Sequence, residues 1–125
     1  MTRHRVLLID DSEISLMMVS ATLERAGYDV RTSSEPHTVR SALGGWQPDV
    51  ILTDVTMPGM SGVELCRLLK STYDTAHVPI VLLSALEPAE LEQLASECEA
   101  DGFLTKVDID RLPRELARLI ETAVF

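Results

Sequence analysis

Three short, almost uninterrupted apolar runs leave this chain few ways to fold: Val6-Leu7-Leu8-Ile9, Val50-Ile51-Leu52 and Ile80-Val81-Leu82-Leu83. Runs of this length, rich in β-branched residues and bounded by polar residues or proline, read as strands covered on both faces. Tyr28-Asp29-Val30-Arg31-Thr32 alternates instead, as a half-exposed strand at a sheet edge does, and Gly102-Phe103-Leu104-Thr105 is a shorter fifth strand.

Helical patterns separate them. Residues 12–26 carry Leu16, Val19, Leu23 and Ala26 at helical spacing, with Gly27 as the stop. Residues 36–44 form a short amphipathic piece ending in Gly44-Gly45. Residues 61–72 open with Ser61 and Glu64 at capping-box spacing and continue with Leu65, Leu68 and Leu69. Residues 88–98 put Leu91, Leu94, Ala95 and Cys98 on one side and most of their glutamates elsewhere. Residues 111–124 align Leu112, Leu116, Leu119 and Ala123, with Asp110 as the expected N-cap. Five strands alternating with five helices imply right-handed crossovers and one parallel sheet covered on both faces. The alternating second strand belongs at an edge, which gives a doubly wound α/β domain with strand order 2-1-3-4-5.

Composition narrows the function classes. Eleven Lys and Arg against twenty Asp and Glu leave a net charge of −9, which repels nucleic-acid phosphates and anionic lipid. Aromatics make up 4% of the chain, too few for a base-stacking surface. Cys66 and Cys98 lack metal-binding spacing and fall on apolar helix faces, so both read as reduced core thiols. The first apolar run is too short for a signal peptide, and no run approaches the ~20 residues of a spanning helix. The expectation is a cytoplasmic protein without direct nucleic-acid or membrane contact. The methionines at 17, 18, 57 and 60 read as packing residues. His4, His37 and His77, without ligand spacing, read as surface residues.

In open parallel sheets, ligands bind beyond the carboxyl ends of the strands. There the sequence places Asp10-Asp11 after strand 1, Asp54 after strand 3, Ser84 after strand 4 and Lys106 after strand 5. Two like charges ~4 Å apart at an effective dielectric near 20 repel by ~4 kcal/mol. Three gathered carboxylates therefore need compensation. Lys106 offsets one charge, and a hard divalent cation with oxygen ligands, Mg²⁺ above all, offsets the rest.

Together Asp10-Asp11, the segment from Asp54 through Met57-Pro58-Gly59 to Gly62, Ser84-Ala85 and Gly102-Phe103-Leu104-Thr105-Lys106 resemble the receiver domain of two-component response regulators, chemotaxis regulators included. The resemblance covers essentially residues 1–125 and implies a flavodoxin-like fold in one domain. It implies that Asp54 accepts a phosphoryl group from a sensor histidine kinase or phosphotransfer protein. It further implies that Asp11 binds Mg²⁺ directly, that Asp10 contributes through water, and that Asp54 and the backbone carbonyl of Thr56 complete the protein ligands. Lys106 and the Ser84 hydroxyl then hold phosphoryl oxygens. Ser84 and Phe103 form the switch that alters a surface made of the helix over 88–98, the strand over 102–105 and the helix over 111–124, read by an unknown downstream protein or used for homodimerisation. Such a protein is a signalling switch that catalyses its own phosphorylation and slow dephosphorylation, not a turnover enzyme.

The family usually has proline after the strand-5 lysine, in a cis peptide; Val107 stands there, so a trans bond is expected, with the alternative a strained cis bond. That departure is the one feature favouring a degenerate receiver that acts as a phosphorylation-independent interaction module. An aspartyl-nucleophile phosphatase would need a carboxylate where Thr56 stands. The chain ends with its last helix, so no output domain is expected within it.

Overall fold

A computed structural model of the chain describes residues 4–35, 39, 43–55, 59–71 and 77–122. It contains β1 (Arg5–Ile9), α1 (Glu13–Arg25), β2 (Asp29–Ser33), β3 (Val50–Asp54), α2 (Gly62–Ser71), β4 (Ile80–Ser84), α3 (Pro88–Cys98), β5 (Gly102–Thr105) and α4 (Leu112–Thr122). Of the helix expected over 36–44, Val39 and Leu43 are described and helical, Gly44 is a turn, and the rest lies outside the described residues. All strand pairs are parallel, in the order β2-β1-β3-β4-β5, as the alternating pattern implies.

Two-sided burial follows from the pleat, which sends neighbouring side chains to opposite faces. Leu7, Ile9, Ile51, Ile80 and Leu82 pack with Leu65 and Leu69 of α2 and with Leu91 and Ala95 of α3. Val6, Leu8, Val50, Leu52, Val81 and Leu83 pack on the other face with Leu16, Val19 and Leu23 of α1 and with Leu112 and Leu116 of α4. Each fully buried aliphatic side chain contributes roughly 1.5–3 kcal/mol. The apolar runs therefore hold the central strands in one register.

Local signals set the ends of the elements. Ser12 caps α1 by accepting the Ser15 N–H at 3.2 Å. Ser61 accepts the Glu64 N–H on its Oγ at 3.1 Å, one half of the expected box, and its hydroxyl donates to Glu64 Oε1 at 3.4 Å. Pro88 opens α3, where its missing N–H costs nothing, after Glu87 as N-cap. Ser84 therefore caps no helix. Asp110 is not the N-cap of α4: it lies within a 3₁₀ turn, Ile109–Arg111, that Asp108 precedes and that leads directly into α4. β2 begins one residue later than the alternation suggested, because Tyr28 is buried against α1 and its N–H closes the α1 turn onto the Leu23 carbonyl at 3.1 Å.

Cys66 and Cys98 are free and buried, as expected. Burial, then the contact with Cys98, pushes the Cys66 thiol up to about 12, so it stays protonated. Met17 and Met18 correct the sequence reading. They are 71% and 52% exposed and pack in no core, since α1 turns Leu16, Val19 and Leu23 inward instead. Met60 does pack against the α2–α3 side, and Met57 and His37 lie outside the described residues. His4 and His77 are on the surface. Among the described residues no helix is long and apolar enough to cross a membrane.

One contact ties this framework to the end of β3. Gly62 opens α2 and donates its N–H to the Val55 carbonyl at 2.9 Å. A Cβ here would sit 1.9 Å from the Asp54 carbonyl oxygen and 2.5 Å from Val55 Cα, both backbone atoms. Gly62→Ala is expected to destabilise the domain by about 1–3 kcal/mol through overpacking, read by denaturant unfolding. A change below ~0.5 kcal/mol, the size of an ordinary surface substitution, would contradict the close approach.

Candidate functional site

Because the four strands β1, β3, β4 and β5 run parallel, their carboxyl ends share one edge of the sheet. Asp10 follows β1 and its N–H donates to the Ser33 carbonyl at 3.1 Å, which continues the β1–β2 ladder by one residue. Asp54 ends β3 and Ser84 ends β4. Lys106 follows β5, and its N–H donates to the Ser84 carbonyl at 2.8 Å. Backbone ladders thus deliver every strand-end residue named from the sequence to one place, apart from Thr56, which lies outside the described residues.

The carboxylate oxygens of Asp10, Asp11 and Asp54 lie within 4.8 Å of one another. Asp10 is 1% exposed, Asp54 is half-buried and Asp11 faces solvent. Asp10 Oδ1 accepts the Ser12 N–H at 3.0 Å, and Oδ2 receives the Lys106 ammonium at 2.5 Å. Asp54 Oδ1 accepts the Val55 N–H at 2.9 Å and lies 3.9 Å from the same ammonium. The Lys106–Val107 peptide is trans, there being no cis bond among the described residues, and the lysine still reaches both carboxylates. Val107 itself is 79% exposed.

Unequal sharing of one cation splits the two carboxyls. Burial pushes Asp10 up, but the hydrogen bonds from Lys106 and the Ser12 N–H outweigh it and hold this carboxyl below its ordinary 3.8. For Asp54, burial dominates and the Asp10 charge adds to it; the more distant Lys106 only partly offsets them, so this carboxyl is held above 3.8. The oxygen-only donor set, one member buried and another open to solvent, suits a hard divalent cation that keeps part of its water. Zinc or another metal that prefers nitrogen and sulfur ligands finds neither here.

Ser84 is buried, and its hydroxyl accepts the Leu86 N–H at 3.2 Å, so it anchors the turn after β4. Phe103 is partly buried against the α2–α3 side of the core. Sequence reading missed an apolar patch beside this site. Ile14 is 72% exposed; with Met17 and Met18 it forms a second stripe on α1, and Val107 is exposed nearby. Met17, Met18, Lys106, Val107 and Ile109 line a groove of about 560 Å³. The signal was available: Ile14, Met17 and Met18 stand at i, i+3 and i+4, out of phase with Leu16, Val19 and Leu23.

The sign of the Asp54 shift sets a pH dependence. A folded-state value above the unfolded one means that the charged carboxylate disfavours the fold and protonation relieves it. In metal-free buffer, Asp54→Asn is expected to raise the melting temperature at neutral pH by a few degrees, the change that ~1 kcal/mol gives a domain of this size. The gain should fade as pH falls through the raised value towards 3.8, where the native carboxyl is itself protonated. A gain that persists unchanged at low pH, or a loss at neutral pH, would contradict the assigned electrostatics.

Comparison with known proteins agrees with this geometry. The sequence profile of the response regulator receiver domain matches residues 6–117. The response regulator PleD of Caulobacter vibrioides is 38% identical over 102 residues, 82% of this chain and 22% of that protein. The phosphate regulon transcriptional regulatory protein PhoB of Pseudomonas aeruginosa is 34% identical over 120 residues, 95% of this chain and 51% of that one. This chain thus spans about half or less of these relatives' length. The crystallised chemotaxis response regulator CheY4 of Vibrio cholerae superposes with a TM-score of 0.84 at 32% identity, covering 94% of this chain and 99% of that one. With its sheet order, its strand-end residues and its profile match in agreement, the chain belongs to the response regulator receiver domain family.

Proposed function

We propose that residues 1–125 form a phosphorylation-operated switch in which Asp54 is the phosphoacceptor. The observation that carries this reading is the convergence of Asp54, Asp10, Asp11 and Lys106 on one strand edge from distant parts of the chain. A carboxylate oxygen of Asp54 attacks the phosphorus of a phosphohistidine on a sensor kinase or phosphotransfer protein. The phosphorus–nitrogen bond breaks, the imidazole leaves, and an acyl phosphate remains on Asp54. Mg²⁺ would be held by Asp11 and Asp54, by Asp10 through water and by the Thr56 carbonyl that the resemblance suggests, and would supply charge neutralisation at the phosphoryl oxygens. Lys106 pairs with one phosphoryl oxygen, and the Ser84 hydroxyl, which accepts the Leu86 N–H, donates its own O–H to another. Slow hydrolysis of the acyl phosphate resets the switch.

The phosphoryl group carries about −1.5 to −2 charges in place of the carboxylate's single one, a net gain of about one negative charge or less next to buried Asp10. Moving Ser84 towards it pulls on the turn before α3, and Phe103, packed beneath that helix, repacks in response. The surface that changes is α3, β5 and α4, where a downstream protein or a second copy reads the state. Reduced cysteines and the acidic surface suit a cytoplasmic setting. The phosphodonor approaches over α1, where the Ile14, Met17, Met18 and Val107 patch supplies apolar contact area beside Asp54.

Incubation with Mg²⁺ and a small acyl phosphate is expected to add one phosphate by intact mass, lost in Asp54→Ala and on chelation. Unchanged mass at saturating donor, or labelling that survives Asp54→Ala, would overturn the assignment. Met18→Glu is expected to slow transfer from the cognate kinase by roughly tenfold or more, an effect of hot-spot size, while acyl-phosphate labelling stays the same. Equal slowing of both reactions would instead mean damage to the site rather than loss of docking.

A further inference from the structure

β5 ends at Thr105, so Lys106 is the first residue beyond the sheet, and its ammonium rides on a flexible four-carbon stem. Such a side chain keeps one place more readily when the backbone beneath it is already fixed. On the N-terminal side the β4–β5 ladder does this. Thr105 stands opposite Ser84, and the Lys106 N–H donates to the Ser84 carbonyl at 2.8 Å. On the C-terminal side no strand remains. There the Val107 N–H donates to the Thr105 hydroxyl oxygen at 3.1 Å, so one side chain closes a turn across Lys106. Neither Lys106 nor Val107 has a positive φ, and the peptide between them is trans. Val107 turns its side chain to solvent, 79% exposed, so what this position gives the turn is its N–H.

We propose that Thr105 is a positioning residue for phosphoryl transfer: its hydroxyl, by holding the Val107 N–H, fixes the backbone under Lys106 and so aims the ammonium at the acidic cluster. The inference rests on the reading of Lys106 as the partner of a phosphoryl oxygen. Thr105 acts through that lysine and not on the phosphoryl group. The device makes a separate demand on each of two positions. Residue 107 needs a backbone N–H, which every residue except proline supplies. Residue 105 needs a short hydroxyl: serine keeps the acceptor, whereas valine keeps the shape and loses it. The β-branch of threonine adds stiffness about χ1, which holds the acceptor in place.

The rate at which a small acyl phosphate labels Asp54 at saturating Mg²⁺ reads the placement of the lysine. Thr105→Val is expected to slow labelling roughly threefold to tenfold, the loss of one ordinary hydrogen bond. Thr105→Ser and Val107→Ala, which keep acceptor and donor, should stay within about twofold of the native rate. Lys106→Met is expected to slow labelling more than Thr105→Val does, since a charge-assisted bond is the stronger one. Two double variants identify the groups through which the hydroxyl acts. In a Val107→Pro chain, with no N–H left to accept, adding Thr105→Val should change the rate by less than about twofold. In a Lys106→Met chain it should likewise add less than about twofold, because the side chain being aimed has gone.

Labelling by Thr105→Val at the native rate, or a loss that Thr105→Ser shares, would overturn the assignment. So would a slowing that persists undiminished in the Val107→Pro or Lys106→Met chain, because a general structural role needs neither group. If Thr105→Val fails to fold, Thr105→Ala set against Thr105→Ser carries the same comparison. Native-rate labelling by Lys106→Met would overturn the phosphoryl-oxygen reading of the lysine and this inference with it. Slowing by Lys106→Met with Thr105→Val unaffected would overturn this inference alone.

Discussion

One ammonium shared between two carboxylates sets the character of this molecule. The doubly buried strands bring Asp10 and Asp54 to the same edge with their backbone fixed by parallel ladders, so neither can retreat from the other. At a separation of ~4 Å the repulsion is ~4 kcal/mol at an effective dielectric near 20, a large part of the stability a small domain possesses. Lys106 relieves it unevenly, at 2.5 Å from Asp10 and 3.9 Å from Asp54. The result is one carboxyl held below its ordinary value and one held above it. Asp54 is thereby the member of the pair that most gains from a further cation or from esterification by a phosphoryl group, which replaces its bare charge with one spread over oxygens that Lys106 and the Ser84 hydroxyl can reach.

The surrounding fold serves this arrangement by being stiff where the charges meet and adjustable beside them. Gly62 lets the start of α2 lie against the Asp54 carbonyl, closer than any side-chain-bearing residue allows. The turn after β4, in contrast, is anchored by a single hydroxyl bond from Ser84 to the Leu86 N–H. A change in what Ser84 bonds to is therefore cheap, and it acts on a segment leading into α3. α3 carries Glu90, Glu92 and Glu97 on its exposed side and Glu99 at its C-cap, so displacing it moves a block of negative charge across the surface. Small local chemistry becomes a visible change in shape and field.

Much of this was legible in the amino-acid order because the physics was local or strongly periodic. Apolar runs such as Val6 to Ile9 have one solution, burial on both faces, and three of them, with an alternating edge strand, a shorter fifth strand and helices between, lead to the sheet order. Polar residues placed directly after such runs must then collect at one edge, which located Asp10, Asp54, Ser84 and Lys106. What escaped was decided by tertiary detail. Asp110 has the chemistry of a cap, yet a 3₁₀ turn at Ile109–Arg111 starts the last helix differently. Met17 and Met18 are apolar, but α1 has a single face to bury and Leu16, Val19 and Leu23 fill it. The choice of Lys106 for Asp10 over Asp54, 2.5 Å against 3.9 Å, is a matter of side-chain placement that no spacing rule encodes. Nor does sequence position alone show how a trans Lys106–Val107 bond still delivers the ammonium to the cluster.

Fluorine NMR of the protein with beryllium fluoride, an analogue of the acyl phosphate, tests the central charge-sharing claim most directly. A bound fluoride signal that requires Mg²⁺, contacts the Lys106 side chain and vanishes in Asp54→Asn is the result expected. A bound signal that survives loss of the Asp54 carboxylate, or no adduct at saturating Mg²⁺ and fluoride, would contradict it.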